Sequence, residues 1–345
     1  MKNDVIIRSR APLRISFGGG GTDVPPYPET YGGVTLSTTI DRYAYVTLKN
    51  NSKKGIRVIS QDYGLIETLS NISDIKIKGK TSLIKAALLQ SGLKKENLDI
   101  IIHVDSPPGS GLGSSSAVAI AIVGALSFFL DEHLTKYQIA KKAIILEREL
   151  LGIKGGYQDQ YASCFGGFNF IEFKKTVTVN PIRLHPSVIN ELLSSSVLVN
   201  SKKTRFSGNI INKQISKFNQ NDEVFLSHLK KIKNLAYEMK EFLLKGNINK
   251  FGHLLELHWE EKQKLTESIS TPYIEKLYTK LKQSGGTGGK ILGAGGGGHI
   301  FFICPPEKRN LLFQAIDKTK AENIKFNFED NGLQTWMVQN GVSLF

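Results

Sequence analysis

Residues 107–117 read PPGSGLGSSSA. A β-like run, LDIIIHV at 98–104, comes before this stretch, and a strongly apolar run, AVAIAIVGALSFFL at 117–130, follows it. The order strand, glycine loop, helix leaves backbone N–H groups free at the positive end of a helix dipole, with no side chain to block a phosphate. The segment therefore reads as a phosphate cradle. A P-loop needs lysine directly after its last glycine, and Gly113 is followed by Ser114, Ser115 and Ser116 instead, which argues against Walker-type chemistry. A serine at the helix start can still help to hold the magnesium that accompanies a nucleotide. The same residues also satisfy a plain helix N-cap.

Two more glycine loops lie far away in sequence. FGGGGTDVPP at 17–26 puts Asp23 on an accessible backbone, where its carboxylate can accept hydrogen bonds from sugar hydroxyls or simply shape an Asx turn. GAGGGGH at 293–299 satisfies the dinucleotide fingerprint literally. That fingerprint requires a helix next, whereas HIFFICPP is a short strand ending in prolines, so the dinucleotide reading fails. Three such loops converging on one cleft explain their co-occurrence better than three unrelated turns.

The rest of the chain frames these loops. Residues 5–60 alternate apolar and polar as in an antiparallel sheet with one long insertion. KYQIAKKAIILEREL reads as a helix with Ile139, Ala143, Leu146 and Leu150 on one face. From 223 to 283 three helices are expected, the first with a stripe of Val224, Leu229, Ile232, Ala236, Met239 and Leu243. Short strands KIL, HIFFIC, IKFNF and TWMV are expected to close a second, α+β domain. At 345 residues the chain exceeds a single core, and the division expected is 1–195 and 196–345 with a cleft between.

Composition excludes several classes. Two cysteines are too few for a disulfide framework, and the start MKNDVIIRSR has no apolar signal core, so a cytoplasmic protein is expected. The longest apolar run is too short to span a membrane. A net charge of +14 is scattered, with no basic run interleaved with stacking aromatics, which favours anionic small molecules over nucleic acid. His103, His258 and His299 stand too far apart for a metal cluster and read as structural.

APLRISFGGGGTD, PPGSGLGSSSA and KILGAGGGGHIF, in that order, resemble the three motifs of the GHMP small-molecule kinases. Within that family KGGYQDQYASCFGG and the ending FNFEDNGLQTWMV look most like its heptose 7-phosphate kinase branch. The resemblance implies an α+β fold of two domains, the first with a left-handed βαβ crossover and the second ferredoxin-like. It implies ATP and Mg²⁺, a sugar phosphate as acceptor, and transfer to the anomeric hydroxyl of D-glycero-D-manno-heptose 7-phosphate for cell-surface polysaccharide. A fucokinase-like enzyme and a non-catalytic nucleotide-binding regulator are the alternatives, and the oligomeric state stays open, a homodimer included.

Carried over residue by residue, Pro108, Gly109, Ser110, Gly111, Leu112, Gly113, Ser114 and Ser115 would hold the ATP phosphates, with Ser115 and Glu147 on the magnesium. Asp159 would be the catalytic aspartate, and Arg14 the basic residue that orients it and stabilises the transferring phosphoryl group. Gly20, Gly21, Asp23, Gly156 and the glycines 295, 296 and 297 would face the acceptor. Galactokinase-like members carry Glu-His before Thr-Asp where this chain has Gly20 and Gly21, so only Asp23 transfers from that motif, and the smaller side chains suit a bulkier sugar. The basic loop NSKKTRFSGN at 200–209 offers Arg205, whose fork suits the phosphate already on the acceptor. Glu147 as a solvated helix charge, Asp159 as a loop cap and Arg14 as a solvent-facing strand residue are the plain readings of the same residues.

Overall fold

Two long strands, β1 (Val5–Gly18) and β2 (Gly33–Asn50), pair antiparallel on either side of the first glycine loop, which carries the short helix α1 (Tyr27–Tyr31). The computed structural model describes residues 5–52, 55–94, 97–107, 109–204 and 208–344. The hairpin β3 (Gly55–Ser60) and β4 (Leu65–Leu69) leads through α2 (Ser82–Ser91) to β5 (Asn97–Val104), which pairs parallel with β3 and antiparallel with β2. The second glycine loop then opens α3 (Ser114–Phe129), and α4 (Lys136–Ile145) and α5 (Gln158–Phe165) follow. The first half ends in β6 (Asn169–Phe173), β7 (Val177–Pro181) and α6 (Pro186–Ser195).

The second half runs β8 (Ser196–Asn200), α7 (Gly208–Asn219), α8 (Glu223–Leu244), α9 (Ile248–Gln263) and α10 (Pro272–Gln283). It continues with β9 (Gly288–Ile291), β10 (His299–Ile303), α11 (Arg309–Asp317) and β11 (Glu322–Ile324). Its four strands are antiparallel in the order β11-β8-β10-β9. With helices between β8 and β9 and between β10 and β11, this is the split βαβ arrangement of a ferredoxin-like sheet. Side-chain caps start its helices: Asp222 accepts from Phe225 N–H at 2.9 Å, Asn247 from Lys250 at 3.0 Å and Thr271 from Ile274 at 3.3 Å. Each such cap stabilises its helix by about 1 kcal/mol.

The chain then crosses back. β12 (Phe328–Glu329) pairs with β2, β13 (Gln334–Gln339) pairs with β1, and β14 (Val342–Leu344) pairs with β13. TWMV, expected in the second domain, is therefore a strand of the first sheet, with Trp336 opposite Arg8. A division at 195/196 separates strands that share hydrogen bonds. The return is tightly seated: a Cβ on Gly124 of α3 would lie 2.7 Å from Leu333, and one on Gly166 would lie 2.1 Å from the Gly332 nitrogen.

The core follows from α3, whose residues are buried on nearly every side between β1, β2 and its neighbouring helices. An all-apolar helix of this kind belongs inside a protein. The α8 stripe is as expected except at Val224, which is exposed, while Phe225 takes the buried position. No helix among the described residues is long and apolar enough to cross a membrane.

Candidate active site

The three glycine loops meet in one cleft, by close backbone approach. A Cβ on Gly293 would sit 2.9 Å from the Gly111 Cα, and one on Gly298 would sit 2.4 Å from the Ser110 carbonyl oxygen. His299 N–H also donates to that carbonyl at 2.9 Å. The cleft wall comprises Gly20, Gly21 and Asp23 of the first loop, Gly109 to Gly111 and Gly113 to Ser116 of the second, and Gly293, Gly295 and Gly297 of the third.

At the centre Gly113, with φ +77°, leads into α3, and the N–H groups of Ser114, Ser115 and Ser116 have no acceptor among the described residues. Those unpaired donors and the helix dipole make an anion site. A side chain at Gly113 would press on Arg14 Cγ at 3.3 Å and Asp159 Oδ2 at 3.4 Å, so the loop lies directly over this pair.

Arg14 reaches Asp159 with both arms of its fork, Nε to Oδ1 at 2.8 Å and Nη2 to Oδ2 at 2.9 Å. Its Nη1 donates to the Gly111 carbonyl at 2.5 Å, and its own backbone N–H donates to the Leu112 carbonyl at 3.0 Å. A bidentate pair is the geometry in which an ion pair is both strong and directional. Arg14 is 2% exposed, whereas Asp159 keeps a quarter of its side chain open to the cleft. The pair thus has a sealed half that orients and an open half that can meet a substrate.

Glu147 arrives by a different route. α4 continues into a π turn over Leu146–Leu150, closed by Leu151 N–H to the Leu146 carbonyl at 3.2 Å. The widened turn breaks the 3.6-residue period, so the expected face Ile139, Ala143, Leu146, Leu150 fails at its last member: Leu150 is exposed and Glu147 is 1% exposed. Ser115 Oγ donates to Glu147 Oε1 at 2.8 Å, and Ser116 Oγ and Gln160 Nε2 donate to Oε2 at 2.7 and 2.5 Å. These partners are neutral, and a carboxylate this buried calls for a cation. One carboxylate and a neighbouring hydroxyl at the phosphate loop suit a hard divalent ion that takes its remaining ligands from substrate phosphates and water. The described residues contain no cluster of three His, Cys, Asp or Glu that would hold a metal alone.

On the opposite wall Asp23 accepts from Gly21 N–H at 3.0 Å and from Gln158 N–H at 3.1 Å. Burial pushes its carboxyl above the usual carboxylate range, opposed by those two N–H groups. Gly156 must be glycine here, because a Cβ would stand 1.9 Å from Asp23 Oδ2. Ser16 Oγ fixes the Gln158 side chain at 2.9 Å behind it.

Several expectations change. The Leu112 side chain turns into the core rather than the cleft, and Gly296 does not line it, its N–H donating to the Ile269 carbonyl at 2.7 Å. The glycines of the third loop are required by neighbouring backbone: Gly295 lies against the Ile269 carbonyl and Gly297 against that of Lys203. Pro108 and Arg205 lie outside the described residues. Lys202 pairs with Glu322 and Lys203 sits over the Tyr273 ring, and neither lines the cleft. Residues the sequence reading passed over include Lys262, Arg148, Lys154 and Gln158, all on the cleft wall, together with Ser116 and Gln160 around Glu147. A signal existed for one of them: Lys262 lies four residues after His258, on the face of α9 that carries buried Leu255 and Trp259.

His258 is structural, as expected. It is fully buried, accepts Gly19 N–H at Nε2 at 3.1 Å, and is held neutral by burial and by the charges of Lys290 and Lys262.

An anion site at a helix N-terminus beside an oriented Arg–Asp fork is built for phosphoryl transfer, and comparison with known proteins gives the class, a small-molecule kinase. The family described as GHMP kinases N terminal domain matches residues 81–167, and GHMP kinases C terminal matches residues 239–324. A D-glycero-alpha-D-manno-heptose 7-phosphate kinase of Campylobacter jejuni is 34% identical over 96% of this chain and 99% of its own. The solved structure of a D-glycero-D-manno-heptose 1-phosphate kinase from Bacteroides thetaiotaomicron superposes with a TM-score of 0.80 at 32% identity, covering 96% of this chain and 98% of the other. A bifunctional fucokinase/GDP-fucose pyrophosphorylase of Arabidopsis thaliana is 27% identical over 91% of this chain, which spans 31% of that protein. The chain belongs to the GHMP kinases, ATP-using phosphotransferases with an alcohol acceptor.

Proposed function

We propose that this enzyme transfers the γ-phosphoryl group of ATP to the anomeric hydroxyl of D-glycero-D-manno-heptose 7-phosphate, giving the 1,7-bisphosphate for nucleotide-activated heptose. The observation that carries the chemistry is the Arg14–Asp159 fork under Gly113, with the open carboxylate facing the phosphate loop. Phosphoryl transfer asks a protein to align donor and acceptor and to stabilise spreading negative charge. The first-turn N–H groups of α3 hold the nucleotide phosphates, Asp159 receives the proton of the attacking hydroxyl, and Arg14 keeps its carboxylate aimed. Asp23 and the small residues Gly20, Gly21 and Gly156 shape the acceptor side. Arg148 and Lys154, cations on the wall beside Gly156, are the residues assigned here to the acceptor's own phosphate.

Glu147 and Ser115 are the residues that would hold Mg²⁺. Bound there, the ion would neutralise charge on the β- and γ-phosphate oxygens. Glu147→Gln keeps the shape but removes the charge and turns one acceptor oxygen into an amide donor, so the Ser115 contact reverses while the amide oxygen still accepts from Ser116 and Gln160. It is expected to abolish most of the Mg²⁺ dependence of ATP binding and to lower kcat about 10²-fold. ATP titrations with and without Mg²⁺ check it, and an unchanged Mg²⁺ dependence would remove Glu147 from the ion's ligands.

The names of the two heptose relatives place the phosphate differently, so the acceptor test is a panel of heptose, heptose 7-phosphate, heptose 1-phosphate and fucose, followed by ADP release. Turnover with the 7-phosphate at a kcat/KM at least about 10²-fold above the others is expected. Preference for fucose would move the chain to the fucokinase-like reading, and no turnover with any acceptor would favour a nucleotide-binding regulator.

A further inference from the structure

Lys262, on α9, is 4% exposed yet contributes to the cleft wall. An ammonium has three N–H donors. The described residues give it one acceptor, the Gly293 carbonyl at 2.5 Å. Gly293 lies against Gly111, so this bond fixes the ammonium at the seam between the third glycine loop and the phosphate loop. The other cations at the seam are more fully engaged or face elsewhere. Arg14 uses three of its five donors on Asp159 and Gly111, and Lys290 stands behind the wall, donating to the Ser16 carbonyl at 2.8 Å.

We propose that Lys262 is a further catalytic residue of the kinase reaction, its two uncommitted N–H bonds binding oxygens of the phosphoryl group as it passes from nucleotide to acceptor. This rests on the kinase reading above. In that step the acceptor oxygen forms a bond to phosphorus, the bond from phosphorus to the bridging oxygen breaks, and its electron pair leaves with ADP. The hydroxyl proton goes to Asp159. Lys262 forms no covalent bond and gives up no proton, and it acts on charge that spreads in transit, where a preorganised donor inside a protein acts most strongly.

The surroundings agree with a cation waiting for an anion. Burial pulls Lys262 down to about 8, with Asp23 and Asp159 raising it and Arg14 lowering it. Lys290 and His258, its remaining charged or titratable neighbours, are themselves pushed well below their ordinary values, in part by Lys262. Because the folded-state value lies below the unfolded one, holding this charge costs stability below about pH 8, and the cost fades as pH rises from about 8 towards 10.5. A bound nucleotide favours the charged form, so binding at pH 8 draws in a proton.

Lys262→Met is therefore expected to lose activity while gaining stability. With Mg·ATP and heptose 7-phosphate its kcat should fall about 10²–10³-fold with KM for the acceptor within about threefold. Its unfolding temperature at pH 7 should rise by roughly 2–4 °C. Calorimetry of a non-hydrolysable ATP analogue in buffers of different ionisation enthalpy should show proton uptake at pH 8 for the wild type and little for the variant. Lys262→Gln carries the same kinetic and calorimetric expectations should the Met variant fold poorly. A kcat within threefold of wild type, or equal proton uptake, would overturn the proposal. If the wild type turns over no sugar phosphate, the kinase reading fails instead, and the proton-uptake arm still decides whether Lys262 meets the nucleotide.

Discussion

Asp159→Asn is expected to lower kcat about 10³-fold while KM for ATP stays within about threefold. The carboxylate has two tasks, holding Arg14 by both arms and presenting its open side to the acceptor hydroxyl. An asparagine can neither take the proton nor balance the guanidinium, and Arg14 is then left buried without its counter-ion. Breaking a fully buried pair costs about 3–5 kcal/mol, a figure that falls here because Asp159 is partly open to solvent. The kinetic comparison therefore needs the unfolding temperature of each variant beside it. Arg14→Lys keeps the charge and loses the fork, and should fall between wild type and Asp159→Asn. Undiminished turnover by Asp159→Asn would show that the carboxylate neither accepts the proton nor aligns the transfer.

The second large effect is expected at a residue with no side chain. Gly156→Ala puts a methyl group where the structure leaves 1.9 Å to Asp23 Oδ2, so either the loop or the Asp23 carboxylate must move. Asp23 is buried between two N–H donors and has little freedom to retreat. A displacement on the order of 1 Å at a positioning residue costs about 10²-fold in rate. The loss should appear in kcat/KM for the sugar, with ATP affinity within about threefold. Gly152 supplies the control: it has φ +64° and open space around it, so Gly152→Ala costs roughly 1–2 kcal/mol of stability and leaves acceptor kinetics unchanged. If both variants behave alike, the acceptor-side assignment of Gly156 and Asp23 is wrong.

What the sequence disclosed and what it withheld divide along physical lines. Glycine loops are legible because few residues tolerate backbone packed on backbone, as Gly293 on Gly111 and Gly298 on Ser110 do here. Arg14 and Asp159 were legible as members of motifs, although not as a fork, since 145 residues separate them. Glu147 could be named but not oriented, because a helical wheel assumes a constant period and the π turn breaks it. TWMV carried the β-propensity of a strand, and propensity does not say which sheet the strand joins. Its partner lies more than 320 residues earlier in the chain. Lys262 shared the helical face of His258, Leu255 and Trp259, but a lysine beside Glu260 and Glu261 gives no reason in the sequence to be buried, and the packing of α9 under the third glycine loop supplies it.

The most direct test of the account is phosphorus NMR of the product formed from Mg·ATP and D-glycero-D-manno-heptose 7-phosphate. The account predicts one new resonance coupled to the anomeric proton, with the original C7 phosphate signal retained and ADP formed in equal amount. ADP formed with free phosphate, or a new phosphate on any other carbon, would contradict it.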